Sequence, residues 1–483
     1  MSEAMKRLIL SLLVFATFAS CTDTPKQIGA LRQKTLSEVH NDISVDCGTL
    51  DRDYADYHKY KEYLEPLGVR YIRLQAGWAK TEKVKGVYDF AWLDAIIDDA
   101  VSRGLEPWLQ LSYGNPIYPG GGTVFLNGGW PRSKEAVEAW KRWARATAER
   151  YKGKVHQWEI WNEPDGPVRK KGADPTEIAD LVIISARIIK DVDPDAKIAA
   201  FGLAGPRYTN GSEPIIADLA KKLKANNEEH LIDWITYHGY QYVPEDSYFI
   251  DGVSLRNILK RHNYDVAIWQ GECGAPSVGY MGGALKEYTW NEQTQAKWDI
   301  RKAMNDHGNG VRTSFFAIAD INYSSNDAIK IKNHKGILAT DAKNKVKRPK
   351  VVYHAIRNLV SVFDNLNKIC DKSGVEIIFA PIHNIDSKPI YYLFEDDDTA
   401  LQSLVVWQGG NAPYYSECND YAEIAIKKFN CKEPVCVDLL NGVVYDLPYS
   451  KLGKCFKFKK VPYYDSPMII CDKSLIDIQL LKK

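Results

Sequence analysis

The chain has 483 residues, 45% of them hydrophobic, and its 63 basic side chains nearly balance its 62 acidic ones. This length exceeds that of one ordinary domain, and the apolar content is enough to fill one large core and one smaller core. The balanced charge excludes the strongly basic class that binds nucleic acid, so we expect a neutral partner.

The amino-terminal segment has the layout of a secretory signal. A basic pair at residues 6–7 precedes an apolar run at 8–16, and small residues then precede Cys21. The run is shorter than the roughly 20 residues that span a bilayer, and its end resembles the lipobox of bacterial lipoproteins. We therefore predict a lipoprotein signal at residues 1–21 and an exported protein of the cell envelope, anchored in the membrane only through a lipid on Cys21. An ordinary signal peptide cleaved elsewhere is the alternative.

Residues 36–363 alternate short β-rich runs with amphipathic helical stretches, a pattern typical of βαβ units. Eight such units predict a (β/α)8 TIM barrel over residues 22–364. An open doubly wound sheet is the rival, but no Gly-x-Gly-x-x-Gly turn follows the first run. The predicted strands are Leu36–Val45, Val69–Gln75, Glu106–Ser112, Val155–Trp161, Lys197–Gly202, Ile232–His238, Val266–Gly271 and Arg312–Ala319.

Two helices have clear boundary signals. After the fourth strand, Asp174 is placed to cap a helix, Pro175 occupies its first position and Glu177 would complete a capping box. An earlier helix begins after Ser133 and ends before Gly153.

Beyond residue 364 the helical period disappears and short alternating runs take over, which predicts a C-terminal antiparallel β-sandwich at residues 365–483. The predicted strands there are Val375–Phe379, Ile390–Phe394, Ser403–Trp407 and Met468–Cys471. The late cysteines could form disulfides in an exported protein or be small buried residues, and the second interpretation is slightly favoured. They are Cys370, Cys418, Cys431, Cys436, Cys455 and Cys471.

Two carboxylates follow strands that face each other across the predicted barrel. Glu163 lies between Asn162 and Pro164 at the end of the fourth strand, and Glu272 follows Gly271 at the end of the seventh. Catalytic groups of such barrels lie at these strand ends. Paired carboxylates about 5 to 5.5 Å apart hydrolyse glycosides with retention, one as nucleophile and the other as acid/base. Should Glu272 be a structural residue, Glu287 or Glu292 would replace it.

The segment Trp161-Asn162-Glu163-Pro164 resembles the Asn-Glu-Pro motif of clan A glycoside hydrolases. The resemblance implies that Glu163 is the acid/base and that Glu272, after the seventh strand, is the nucleophile. The longer run 159–165 is most similar to the family of β-xylosidases and α-L-iduronidases, although Cys273 departs from the aromatic residue usual after its nucleophile.

The same resemblance implies a substrate-binding shell. Asn162 would bind the sugar 2-hydroxyl, Arg73 would lie beneath the nucleophile, Tyr240 would contact the nucleophile and His238 a sugar hydroxyl. Apart from the resemblance, Trp78, Tyr113, Trp130 and Trp290 lie in segments after strands where an aromatic face could carry a sugar ring. Core packing is the better interpretation for any one of them, and Trp78 is the most favoured exception. The structural alternatives are a turn for Asn162, a salt bridge for Arg73, a buried polar residue for His238 and core packing for Trp78.

The sequence therefore predicts a retaining glycosidase that cleaves β-type bonds of an oligo- or polysaccharide. No cofactor or metal is expected, since the sequence contains no metal-ligand spacing. The alternative function is a surface lipoprotein that binds carbohydrate without turnover. The sugar, which could be a xyloside, glucoside, galactoside or uronide, the exo or endo mode and the oligomeric state stay open.

Overall fold

The structure is a computed structural model that describes residues 25–125, 129–279, 283–323, 332–364, 368–379, 388–417 and 420–481. The predicted signal segment and Cys21 lie outside these residues. Within the described ranges, no helix is both long enough and apolar enough to cross a bilayer.

Eight parallel strands close into a barrel, which confirms the predicted fold. The first strand is much shorter than predicted, because the amino-terminal part of the predicted range instead forms a 3-10 turn at Leu36–Glu38. The Glu38 carboxylate accepts a hydrogen bond from the Thr35 backbone N–H and so stabilises this turn. The barrel strands are Ser44–Asp46, Tyr71–Gln75, Glu106–Leu111, Gln157–Ile160, Lys197–Leu203, Trp234–His238, Ala267–Cys273 and Thr313–Phe315.

Helices cover the outside of the barrel. The Asp174 carboxylate accepts from the Thr176 backbone N–H at 2.9 Å, so the predicted cap forms. The predicted capping box does not, because Glu177 pairs with Arg132 at 2.9 Å. The α-helices are Tyr57–Tyr60, Leu64–Leu67, Trp78–Thr81, Ala91–Ser102, Lys134–Tyr151, Asp165–Arg169, Pro175–Val192, Thr209–Ala225, Val253–Arg261, Glu292–His307 and Val351–Val362, with a π-helix at Ser247–Gly252 and 3-10 turns at Leu36–Glu38, Leu50–Arg52, Lys61–Tyr63, Glu229–Leu231 and Lys473–Leu475.

The C-terminal region forms two antiparallel sheets, as the alternating pattern predicts. Between the barrel and these sheets lie two hairpins, made of Ile321–Asn322 with Lys332–Asn333 and of Leu338–Thr340 with Val346–Pro349. In order across the larger sheet, its strands are Lys368–Cys370, Lys388–Glu395, Gln402–Gly409, Met468–Asp472, Pro434–Asp438, Val443–Asp446, Lys26–Leu31 and Ile478–Leu480; those of the smaller are Val375–Phe379, Asp420–Ile426, Cys455–Tyr463 and Tyr449–Leu452.

The strand Lys26–Leu31 precedes the barrel in sequence but belongs to the larger C-terminal sheet. It pairs antiparallel with Val443–Asp446 on one side and Ile478–Leu480 on the other. The predicted boundaries at residues 22 and 364 did not anticipate this return. Both ends of the described chain therefore meet in the same sheet, which ties the barrel to the sandwich.

The helix Glu292–His307 is buried between the barrel and the larger sheet. Its Arg301 guanidinium forms a two-point ion pair with Glu245, both bonds 2.8 Å long, and Glu245 also accepts from the Trp407 indole at 2.7 Å. Glu245 lies in the loop after the sixth barrel strand. The sandwich therefore supports a loop at the carboxyl ends of the barrel strands.

Within the described residues, the late cysteines Cys370, Cys431, Cys455 and Cys471 are free thiols, and Cys418 lies outside that part of the chain. Cys436 and Cys471 are buried strand residues, as the favoured interpretation predicts. Burial raises the pKa of the Cys471 thiol, which keeps it protonated and unreactive.

Candidate active site

The two predicted carboxylates converge at one end of the barrel. A carboxylate oxygen of Glu163, one of Glu272 and a ring nitrogen of His238 all lie within 4.8 Å of one another. The side chains of Glu163 and Glu272 are 21% and 14% exposed, so solvent or substrate can reach both. Their separation suits direct attack by one carboxylate better than the wider gap of about 6.5 to 9.5 Å that accommodates a water molecule in inverting enzymes.

Glu163 is presented by an unusual backbone conformation. Its φ of 54° lies in the left-handed region, which non-glycine residues rarely adopt. The Glu163 N–H donates to the carbonyl oxygens of Gly202 at 2.9 Å and Phe201 at 3.1 Å, on the neighbouring strand. These bonds hold the turn despite a conformational cost of about 1–3 kcal/mol, and such strain is concentrated at functional sites.

A buried arginine forms the floor beneath the carboxylates. The Arg73 guanidinium donates to Glu159 at 2.7 Å, to Asp46 at 2.8 Å, to Glu272 at 3.1 Å and to the amide oxygen of Asn162 at 2.9 Å. Burial disfavours its charge, but the carboxylates of Glu159, Asp46 and Glu272 outweigh burial and raise the pKa of Arg73 well above its usual value. Arg73 therefore lies beneath Glu272 as the resemblance implies, and its salt bridges are structural as well.

Tyr240 and Asn162 take the predicted positions around this floor. The Tyr240 hydroxyl donates to Glu272 at 2.8 Å. Burial and the negative charge of Glu272 raise the pKa of Tyr240, so the hydroxyl keeps its proton and remains a donor. The Asn162 amide oxygen is held by Arg73 and by Gln110, at 2.9 and 3.3 Å, which leaves its N–H groups for a substrate oxygen.

His238 lies between the carboxylates, where the sequence did not place it. Its Nδ1 is 2.8 Å from Glu163 and 3.8 Å from Glu272, and the side chain has no exposed surface. The predicted contact with a sugar hydroxyl is therefore corrected: the ring packs against the Gly202 backbone behind Glu163. Burial disfavours the imidazolium, but the charges of Glu272 and Glu163 outweigh burial and raise the pKa of His238.

Trp78 is a core residue and the prediction of a sugar platform is wrong. Its ring stacks on Tyr118 and Trp143, with centroids 5.6 and 5.9 Å apart, and its indole donates to Glu82 at 2.6 Å. The short helix Trp78–Thr81 turns the ring towards the helix Lys134–Tyr151, away from the carboxylates. Its aromatic neighbours supply the apolar contact that the sequence interpretation assigned to a sugar.

A cavity of about 630 Å³ opens above the two carboxylates. This volume falls within the range of small-molecule sites. Polar and aromatic side chains line the cavity together with the two carboxylates. They include Thr49, Arg52, Gln75, Tyr113, Arg207 and Lys335. A polar, partly aromatic cavity of this size suits a sugar of one or two rings.

Sequence reasoning missed two acidic residues of the floor, Asp46 and Glu159. Glu159 is fully buried on the fourth strand, where it accepts from Thr236 at 2.6 Å as well as from Arg73. An acidic residue inside an otherwise apolar barrel strand was the available signal, because such a group is buried only when paired. Asp46 carries the same signal at the end of the first strand.

Glu163, His238 and Glu272 are also the group of three side chains in the described ranges whose atoms could converge on a metal ion. The Arg73 guanidinium, 3.1 Å from Glu272, already supplies a positive charge there. The donor set is therefore better matched to organic acid/base chemistry than to a cation.

Comparison with known proteins agrees with this geometry. The family described as Glycosyl hydrolases family 39 matches residues 34–262, which is slightly under half of the chain. Over these residues the chain therefore resembles glycoside hydrolases of that family. A β-xylosidase of Geobacillus stearothermophilus is 26% identical over 209 residues, covering 40% of each chain. A 6-phospho-β-glucosidase of Dickeya chrysanthemi is 26% identical over 206 residues, covering 38% of this chain and 43% of the enzyme.

The aligned part of this chain spans about two fifths of the length of these curated relatives. Solved structures align with a larger share of this chain than the curated relatives do. A family 39 glycoside hydrolase of Bacteroides cellulosilyticus aligns with a TM-score of 0.62 at 16% identity, covering 92% of this chain and 83% of that one. A monomeric β-xylosidase of Caulobacter crescentus aligns with a TM-score of 0.57 at 15% identity, covering 92% and 97%. These structures share the fold of both domains.

Proposed function

We propose that this protein hydrolyses β-glycosidic bonds with retention of anomeric configuration. The observation that carries the proposal is the pair Glu163 and Glu272, with carboxylate oxygens within 4.8 Å of each other at the base of a cavity that could hold a sugar. The glycosidases among the relatives support the reaction class.

In the first step a Glu272 oxygen attacks the anomeric carbon while the bond to the leaving oxygen breaks. Glu163 donates its proton to that oxygen, and a glycosyl ester on Glu272 forms. In the second step Glu163 removes a proton from water, the water oxygen attacks the anomeric carbon, and Glu272 leaves as carboxylate. One water molecule is consumed and the sugar regains its original configuration.

The floor residues give the two glutamates different roles. Arg73 and Tyr240 both donate to Glu272, which stabilises its carboxylate form as nucleophile and leaving group. Glu163 receives no ion pair from an arginine or lysine among the described residues, and its side-chain partner is His238. Glu163, which is partly exposed to the cavity, is therefore the carboxyl group assigned to proton transfer with the leaving oxygen and with water.

Proton NMR of the first-formed product tests the stereochemistry. We expect the β-anomer to appear first and the α-anomer only later through mutarotation. A matching 2-deoxy-2-fluoro glycoside should leave a covalent adduct on the peptide that contains Glu272, detected by mass spectrometry. Initial formation of the α-anomer would defeat the retaining mechanism.

A carbohydrate-binding lipoprotein without turnover is the second candidate function. Such a protein would keep the cavity but would not need two carboxylates placed to react at the anomeric carbon of one bound sugar. Aryl β-glycosides separate the two functions, because wild type should turn them over far faster than Glu163→Gln. Equal rates for the two proteins, with binding retained, would favour the binding function.

The sugar is proposed at the level of a β-linked pyranoside. The named relatives include β-xylosidases and 6-phospho-β-glucosidases. The sugars in these names differ in the substituent at carbon 5 of the ring. A panel of aryl β-xylosides, glucosides, galactosides, glucuronides and 6-phosphoglucosides would rank these classes by kcat/KM.

We further propose that the protein is exported and lipid-anchored, on the strength of the signal-like segment that ends at Cys21. Expression in a bacterial host with labelled palmitate should label wild type and fractionate it with membranes. Cys21→Ser should lose the label. Retention of wild type in the cytoplasm would contradict the export proposal.

A further inference from the structure

One wall of the cavity contains a buried arginine with an unused donor. Arg52 lies in the loop after the first barrel strand, and its side chain is 5% exposed. Its Nε donates to Asp51 at 3.2 Å and its Nη2 to the Gln75 amide oxygen at 2.7 Å. Its Nη1 is buried and has no acceptor among the described residues. A buried charged donor without an acceptor forfeits its hydration, so such an atom needs an explanation, and at the wall of a cavity a bound ligand supplies one.

Two more unpaired polar atoms lie on the same wall. The Thr49 and Tyr113 hydroxyl oxygens are buried without a partner in the described structure. The Arg52 guanidinium lies 4.9 Å from the centre of the Tyr113 ring. All three residues line the cavity, so three unsatisfied polar atoms border a single corner of it.

This corner is built to stay in place. The Gln75 amide oxygen accepts from the Thr49 backbone N–H at 3.0 Å as well as from Arg52, so one side chain on the second strand fixes both residues. Tyr113 connects the corner to the catalytic groups, since burial and the charges of Glu163 and Glu272 raise its pKa whereas Arg52 lowers it. The corner therefore lies within electrostatic reach of both carboxylates.

The other two basic side chains on the described part of the cavity wall already have acceptors. Arg207 pairs with both oxygens of Asp251, at 2.7 and 2.9 Å, and Lys335 donates to the Gly274 carbonyl at 2.7 Å. Burial lowers the pKa of Lys335 to about 7, so this side chain carries only part of a positive charge near neutral pH. Arg52 has only Asp51 as an ion-pair partner in the described ranges, through a contact of 3.2 Å. Burial disfavours the charge of Arg52, but the carboxylate of Asp51 outweighs burial and raises the pKa of Arg52. The unpaired Nη1 therefore belongs to a charged guanidinium, for which an anionic oxygen is a stronger acceptor than a neutral hydroxyl.

We propose that Thr49, Arg52 and Tyr113 form a subsite that binds an anionic substituent of the sugar, a carboxylate or a phosphate. The assignment rests on the proposed function only in treating the cavity as the sugar site. In this arrangement the Arg52 Nη1 and the two hydroxyls donate to the anionic oxygens. Arg52 then determines which sugars enter, while the two glutamates carry the chemistry.

Binding of non-hydrolysable phenyl 1-thio-β-glycosides tests the subsite whether or not the protein is an enzyme. Titration calorimetry would compare the thio-xyloside, thio-glucoside, thio-glucuronide and thio-glucoside 6-phosphate on wild type, Arg52→Met and Arg52→Lys. We expect wild type to prefer an anionic ligand over the neutral thio-glucoside, and Arg52→Met to reduce that preference about 10- to 100-fold. Arg52→Lys keeps the positive charge but loses the planar guanidinium that can donate to two oxygens at once. It should therefore retain part of the preference for anionic ligands.

Arg187→Met is the matched control, because Arg187 pairs with Glu228 on the outer helix layer. It should leave the preference unchanged. The better of the thio-glucuronide and the thio-glucoside 6-phosphate identifies the anion as carboxylate or phosphate. Equal or tighter binding of the neutral ligands, or an equal loss of all four ligands in Arg52→Met, would overturn the subsite. Turnover of the corresponding oxygen glycosides is measured separately, so absence of turnover would count against the glycosidase alone.

Discussion

The two glutamates lie at the ends of facing strands, yet they are held in opposite ways. Glu163 follows a strand on a left-handed backbone that is fixed through main-chain bonds, and its carboxylate contacts His238. Glu272 lies within a strand whose pairing with both neighbouring strands shifts register at this point, and its side chain is fixed by Arg73 and Tyr240. The backbone thus positions the proposed acid/base, while side-chain donors position the proposed nucleophile and stabilise its charge.

This difference indicates that the position of the proposed acid/base and the charge of the proposed nucleophile are controlled by different parts of the structure. Removing the nucleophile should abolish the covalent step, whereas removing the acid/base should impair it according to how much the leaving group needs a proton. The predictions below test this division, beginning with the largest expected effect.

Glu272→Ala should reduce kcat/KM on any accepted aryl β-glycoside by about 10⁴-fold or more, because no covalent intermediate can form. Added azide should restore part of the rate and give the α-glycosyl azide, identified by NMR. Glu287→Ala and Glu292→Ala are the matched controls and should keep most of the activity. Loss of activity in one of these with retention in Glu272→Ala would reverse the assignment.

Glu163→Ala should reduce kcat/KM by about 10²- to 10⁴-fold on substrates with a poor leaving group, and by much less on dinitrophenyl glycosides. Azide should here give the β-glycosyl azide, because Glu272 still forms the intermediate. The two variants thus yield opposite anomers from the same reagent. Equal losses on good and poor leaving groups would argue against a proton-donating role.

Tyr240→Phe should reduce kcat by about 10- to 100-fold with a smaller change in KM, since one donor to Glu272 is lost while the ring remains. Tyr242→Phe is a suitable control, because its ring lines the same cavity. Unchanged kcat in Tyr240→Phe would show that Arg73 alone stabilises the nucleophile.

Asp299→Asn should alter the pH dependence of stability. Asp299 accepts from the Ala275 N–H at 3.0 Å, near Glu272, and burial raises its pKa to about 8. The unfolded carboxyl ionises near pH 4 whereas the folded one keeps its proton, so wild type loses stability as pH rises from about 4 to 8. The variant cannot ionise at this position. The Tm of the variant minus the Tm of wild type should therefore be about 2–4 °C larger at pH 8 than at pH 5. Identical Tm profiles would contradict the assignment.

The sequence was most informative where local chemistry is repeated or strict. The βαβ alternation gave the eight strands, and Asp174 marked a helix start that the structure confirms. Asn162 and Glu163 stood out because polar residues end an apolar strand, and the barrel geometry then placed Glu272 opposite. The sequence could not reveal that Trp78 is enclosed by other aromatic rings or that His238 is buried between carboxylates, since both depend on residues far away in the chain.

The sequence by itself determined the order of the barrel strands and singled out the two glutamates as the candidate catalytic pair, because periodicity and strand-end polarity are local properties. Only the tertiary structure decided which donors surround those two groups and what else borders the cavity. Arg73 gathers three carboxylates from three strands, and Lys26–Leu31 completes a sheet formed more than 300 residues later. Burial and long-range ion pairing set these features, and neither can be read from neighbouring residues.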